Sequence, residues 1–192
     1  MTRRGMLDRR AAMATLLRDP GGLLVVTGLG STTYDAGAAG DRAENFYLWG
    51  AMGAAAMLGL GLALAQPARR VLAVTGDGEM LMGLSSLATI AAQRPANLAI
   101  AVMDNGEYAE TGAQASHTTL GTDLAAVAAA CGWRATCTVD DEAGLEALRP
   151  RLRQEPLFAV IRIAPGEPTR FLPPRDGAYL QHRFRAALGV GP

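Results

Sequence analysis

Apolar residues gather in short unbroken runs along this chain: 23-LLVVT-27, 71-VLAVT-75, 98-LAIAVM-103, 134-RATCTV-139 and 157-LFAVIRI-163. Several of these are continuous in hydrophobicity rather than alternating, which suits strands of a parallel sheet covered on both faces. Between them, helical spacing recurs at about 6–18, 51–65, 81–93, 123–131 and 141–153. The punctuation agrees. Asp123 and Asp141 stand where helix N-caps belong, and Pro67, Pro95 and Pro156 fall in the turns that lead from helix to strand. Alternating strands and helices predict an α/β fold, doubly wound, with a mostly parallel sheet and helices on both faces. The expected organisation is an N-terminal helix in 1–19, one domain over 20–165, and a tail over 166–192. That tail is polar and Pro-rich before a short amphipathic helix, 178-AYLQHRFRAAL-188.

Composition narrows the setting. The 192 residues suit one domain with a sizeable core, and 49% are hydrophobic but only 5% aromatic, so that core is aliphatic. The longest apolar stretch, 51-AMGAAAMLGLGLALA-65, is too short to cross a bilayer. The charged start, 1-MTRRGMLDRRAAMATLLRD-19, has no signal-peptide apolar core. Formal charge is zero, which gives no electrostatic case for nucleic acid. Cys131 and Cys137 lack a metal or redox spacing and read as reduced core cysteines, so a cytoplasmic protein with no membrane partner is expected. All 18 basic residues are arginine. Lysine Schiff-base chemistry and a Walker A loop are therefore excluded within this chain.

In a doubly wound sheet, ligands bind beyond the carboxyl ends of the strands. Three segments are expected there: 27-TGLGSTTYD-35, 76-GDGE-79 and 104-DNGEYAETG-112. Asp77 offers a carboxylate and Asn105 an amide oxygen, hard donors of the kind Mg²⁺ or Ca²⁺ prefers; Mg²⁺ normally completes its shell with water and phosphate. The helix expected to begin near Glu79 points its first N–H groups at the same place. Each piece has a plainer reading. GDG is often only a turn, Asn-Gly favours one anyway, and Met52 is by itself a helix-core residue. The 28-GLG-30 stretch lacks the third glycine of a dinucleotide fingerprint.

Taken together, 76-GDG-78, the Asp104-Asn105 pair beyond residues 79–103, and 49-WGAMG-53 resemble the thiamine diphosphate enzymes. Within that family the likeness is greatest to phosphonopyruvate and sulfopyruvate decarboxylases, through 24-LVVTGLGSTTYD-35, 46-FYLWGAMG-53 and 111-TGAQASHT-118, and it spans roughly residues 20–165. The resemblance implies thiamine diphosphate and Mg²⁺ as cofactors. It implies metal ligation by Asp77, Asn105 and the backbone carbonyl of Glu107. Cofactor contacts are implied at Thr27, Gly28, Gly50, Met52, Gly76, Asp77, Gly78, Glu79, Asn105, Glu107 and Tyr108. The Gly50 carbonyl would accept from the aminopyrimidine, and Met52 would prop the cofactor into its bent shape. Glu79 departs from the serine or alanine expected of relatives. Since a carboxylate repels a diphosphate, its side chain is expected to turn outward. His117 is the histidine near the site and is the candidate proton donor or acceptor; a loop or interface role is its plainer reading. His182 reads as a surface or interface residue.

In the family, a glutamate from a separate pyrimidine domain activates the cofactor. Glu44, Glu107 and Glu110 offer no position for it, and no second α/β unit is visible in the pattern. The expectation is a diphosphate-binding subunit of a two-subunit 2-oxo acid decarboxylase, which assembles homo- and hetero-oligomers and is completed by a pyrimidine-domain subunit. Two alternatives stand beside it: the same subunit in an acetolactate synthase-like carboligase, and a binding module without turnover.

Overall fold

A computed structural model describes residues 6–191. Of the expected N-terminal segment, residues 1–5 lie outside the described residues. Six strands form the main sheet: β1 (Leu24–Thr27), β2 (Asn45–Tyr47), β3 (Val71–Gly76), β4 (Leu98–Asp104), β7 (Thr136–Val139) and β8 (Leu157–Arg162). Their order is β2-β1-β3-β4-β8-β7, and every ladder between them is parallel. A separate antiparallel hairpin joins β5 (Glu107–Tyr108) to β6 (Gln114–Ala115). The five expected strands are present. The short edge strand β2 and the hairpin carry too few apolar residues to announce themselves.

The helices are α1 (Arg9–Leu17), α2 (Ser31–Ala39), α3 (Ala55–Ala65), α4 (Asp77–Met82), α5 (Ser86–Gln93), α6 (Leu124–Ala130), α7 (Glu142–Gln154) and α8 (Gly177–Ala187). Asp123 and Asp141 do cap α6 and α7, accepting from Ala126 N at 3.0 Å and Gly144 N at 2.7 Å. Two expectations need correction. The helix read at 81–93 is two, because the chain breaks at Gly83 before α5 and α4 begins at Asp77 itself. Helix α2 was not expected; its sequence, STTYDAGAA, has polar residues on buried positions and so no apolar stripe.

Strand residues divide by parity between two cores. Leu98, Ile100 and Val102 of β4 face α3, α4, α5 and α6, whereas Ala99, Ala101 and Met103 face α1 and α7. This two-sided burial is what the unbroken apolar runs required. Helix α8 covers the β2 edge, where Phe184 meets Phe46 edge-to-face at 5.4 Å. A buried ion pair ties α1 to α2: Arg9 Nε lies 2.8 Å from Asp35, and the two side chains are 5% and 2% exposed.

Topology positions the site. From β1 the chain runs out to β2 on one side and returns as β3 on the other, so winding reverses between β1 and β3. Such a switch point opens a crevice at the carboxyl ends of the two strands. The β3–β4 register pairs Gly76 with Met103, and the residues that follow, Asp77 and Asp104, emerge side by side.

Candidate active site

The crevice is a cavity of about 390 Å³. It is lined by Met52, Gly76, Asp77, Gly78, Glu79, Asn105, Glu107 and Tyr108, eight of the expected site residues, gathered from three loops. Leu29 of the β1–α2 loop and Ser31 and Thr32 of the first turn of α2 close one side. Thr27 and Gly28 stand behind that wall. The Thr27 hydroxyl is buried against Thr33 Oγ1 at 2.6 Å, and Gly28 N donates to Val74 O at 2.9 Å. Gly50 is exposed and outside the lining. A larger cavity of about 660 Å³ lies on the far side of the Asp104–Gly106 turn, bounded by β7 and β8, away from the switch point.

Asp77 is 2% exposed, and its Oδ2 accepts from the Ser116 hydroxyl at 2.5 Å. Thr118 extends the network by donating to Asp104 Oδ1 at 2.8 Å. Burial pushes the Asp77 carboxyl up to about 6, against the pull of the Ser116 hydrogen bond, with the nearby Asp104 charge adding to the rise. Asn105 Oδ1 accepts from Glu107 N at 3.0 Å, which shapes the turn, and Asp104 Oδ1 accepts from Gly106 N at 3.1 Å. Gly106 holds φ at +73°, a left-handed conformation that favours glycine. Among the described residues no three His, Cys, Asp or Glu side chains gather to hold a metal. The donors on offer are instead one carboxylate, one amide oxygen and main-chain carbonyls. That set fits a small hard dication that keeps water and phosphate oxygens in its shell.

Ser116 and Thr118 were missed in the sequence. Nothing in the spacing of 116-SHT-118 shows that its hydroxyls reach back to a carboxylate 39 residues earlier. His117, between them, does not line the cavity; its Nδ1 pairs with the Tyr108 hydroxyl at 2.8 Å. The Tyr108 ring lies over Gly78, where a Cβ would come within 2.6 Å of ring carbon Cδ1, so glycine is required at that point.

Glu79 corrects an expectation outright. Its side chain does not turn outward: it is 4% exposed and points into the wall formed by the β1–α2 loop. Oε1 accepts from Ala55 N at 3.4 Å, and Oε2 has no hydrogen-bond partner among the described residues. Burial raises its carboxyl above the ordinary range, opposed by the donors around it. Repulsion from a diphosphate would have sent it to solvent, but close packing under the loop keeps it in.

These features define a class: an α/β domain with a cofactor-sized cavity and a hard-oxygen turn at its switch point. The chain belongs to the family described as "Thiamine pyrophosphate enzyme, C-terminal TPP binding domain", whose model matches residues 28–163; thiamine pyrophosphate is thiamine diphosphate. It is 41% identical over 189 residues to a phosphonopyruvate decarboxylase of Streptomyces viridochromogenes, covering 96% of this chain and 47% of that protein. It is 38% identical over 161 residues to sulfopyruvate decarboxylase subunit beta of Methanothermobacter thermautotrophicus, covering 84% of each. Thus the chain spans about half of the first relative and most of the second. A crystal structure of a protein from Mycobacterium smegmatis, assigned as a thiamin diphosphate-dependent enzyme, superposes with TM-score 0.70 at 26% identity, over 83% of this chain and 32% of that one. No helix among the described residues is long and apolar enough to cross a membrane.

Proposed function

We propose that this chain is the diphosphate- and Mg²⁺-binding subunit of a two-subunit, thiamine diphosphate-dependent 2-oxo acid decarboxylase. One observation carries the reading. The Asp77 and Asn105 turns meet beside a cavity of cofactor size, in a chain similar along 84% of its length to a sulfopyruvate decarboxylase beta subunit. Asp77, Asn105 and the Glu107 carbonyl would hold the metal, and Ser116 would fix the Asp77 carboxylate toward it. Leu29, Ser31 and Thr32 would flank the diphosphate. Gly50 and Met52 would orient the aminopyrimidine ring. Once bound, the cofactor supplies a carbon nucleophile and an electron sink for loss of CO₂ from a 2-oxo acid.

The pair Tyr108–His117 is the candidate for moving a proton at the cavity mouth. A hydrogen bond between the two rings lets the imidazole give or take a proton through the phenol oxygen. Arg9, which lines the cavity, is already engaged by Asp35, by the Ser31 hydroxyl at 2.8 Å and by Gly166 O at 3.1 Å. The activating glutamate is expected from the pyrimidine-domain partner. The test is reconstitution. The purified chain should be inactive alone and should release CO₂ from sulfopyruvate or phosphonopyruvate once a pyrimidine-domain subunit is added. Robust decarboxylation by this chain as the only protein present would overturn the two-subunit reading. Acetolactate from pyruvate, with no CO₂ from the two acidic substrates, would point to a carboligase.

A further inference from the structure

Helix α3 begins without a cap of its own. Its N-cap is Ala54, whose methyl group can accept nothing, and its first turn carries no acidic residue. Just before it, the loop 50–54 carries Met52 into the cavity and takes an unusual path: Ala51 has φ +53° and Gly53 has φ +92°. That loop lies directly on the end of α4: a Cβ at Gly83 would overlap Gly53 O, so glycine is required where the two backbones meet. The carboxylate of Glu79, on the same helix α4, reaches the open end of α3 and accepts from Ala55 N at 3.4 Å. Its other oxygen presses on the β1–α2 loop, where a methyl group at Gly28 would overlap Oε2.

We propose that Glu79 is a positioning residue: it caps α3 from outside the helix and clamps the 50–54 loop and the Gly28 loop onto α4, so that the Met52 wall of the cavity is set before any ligand arrives. A carboxylate at a helix N-terminus satisfies an orphan N–H and opposes the positive end of the dipole. Here one side chain, on the helix that follows β3, does this while fixing the two loops that follow β1 and β2 across the switch point. The serine or alanine expected at this position is too short to reach Ala55. The consequence for function rests on the reading of the cavity given above; the clamp itself does not.

The test has three arms. In the cofactor-free chain, hydrogen exchange at the amides of 53–56 should accelerate about tenfold in Glu79→Ala, while β3 and β4 stay unchanged. Glu79→Gln, whose amide oxygen still accepts from Ala55, should keep most of the protection. Equal protection in the parent chain and Glu79→Ala, or loss as large in Gln as in Ala, overturns the proposal. Second, Gly28→Ala should lower Tm by about 5 °C through overlap with the carboxylate, and adding Glu79→Ala should restore most of that shift. No restoration would mean that the two loops are not coupled through Glu79. Third, in the reconstituted complex, Glu79→Ala should slow turnover about tenfold while the affinity for inorganic diphosphate with Mg²⁺ holds, and Glu79→Gln should recover turnover. Equal losses in turnover and diphosphate affinity would place Glu79 in the anion pocket and overturn the positioning role. Because the exchange arm uses the cofactor-free chain, its failure removes the clamp alone. A parent chain that binds no thiamine diphosphate with Mg²⁺ removes the functional reading alone.

Discussion

The two rims of the sheet are built from opposite chemistry. At the amino ends of the strands, arginines spend their donors on backbone carbonyls. Arg70 bonds Ala96 O at 2.8 Å and Glu155 O at 2.7 Å, Arg42 bonds Gly21 O and Leu23 O, and Arg153 bonds Arg18 O and Asp19 O. Each guanidinium closes a loop that leads into or out of a helix. At the carboxyl ends the prominent polar groups are acids: Asp77, Glu79, Asp104 and Glu107. Two of them, Asp77 and Glu79, are buried and held above the ordinary carboxylate range by that burial. One rim satisfies its charges with local carbonyls. The other sets the Asp77 carboxylate and the Asn105 amide beside a cavity, with Glu79 shut under the β1–α2 loop.

That contrast can be broken from either side. The largest effect is expected from Asp77→Ala, which should weaken Mg²⁺-dependent binding of thiamine diphosphate by at least about a hundredfold while the chain stays folded. Calorimetry on the reconstituted complex checks it, and unchanged cofactor affinity would remove Asp77 from the metal shell. Met52→Ala should leave diphosphate anchoring mostly intact but slow turnover by about a hundredfold, since the ring would no longer be pressed into position. A change confined to the Michaelis constant would count against Met52 as the prop.

From the other rim, Arg70→Ala should cost about 1 kcal/mol of stability in urea unfolding, because it removes hydrogen bonds to exposed and half-buried loop carbonyls, and should leave cofactor affinity alone. Coupled loss of both would mean that the rims are not independent. The smallest effect is a pH dependence. Metal binds the carboxylate form, so Mg²⁺ affinity should fall about tenfold per pH unit below pH 6, the value to which burial raises Asp77. In the metal-free chain the sign reverses. A raised folded pKa means that the native state holds the proton more tightly than the unfolded one. The contribution of Asp77 to stability is therefore full below about pH 4 and lost as pH rises through about 6. Melting curves of the parent and Asp77→Asn, with and without Mg²⁺ at pH 5 and pH 7.5, isolate both halves. Ser116→Ala removes the hydrogen bond that lowers the Asp77 value, and should move the midpoint upward.

Much of this was legible along the chain. The unbroken runs at 71–75 and 98–103 identify central parallel strands because both faces of such strands are buried, and burial is a property of each residue's own side chain. Asp123 and Asp141 announce the starts of α6 and α7 because a cap acts within three residues. The turns 76-GDG-78 and 104-DNG-106 declare hard oxygen donors at strand ends for the same local reason. Other features depend on partners distant in sequence. Helix α2 has no apolar stripe, so only its packing against α1 and the Arg9–Asp35 pair reveal it. Ser116 becomes a support for Asp77 only when the segment after the β5–β6 hairpin folds back over the junction of β3 and α4. The direction of Glu79 was misread because charge repulsion was weighed without the loop that closes over it. Periodicity, capping and turn chemistry act over a few residues, and sequence alone determined those. Which hydroxyl meets which carboxylate, and which side chain is shut beneath a loop, was decided by the strand order and register that bring distant segments together.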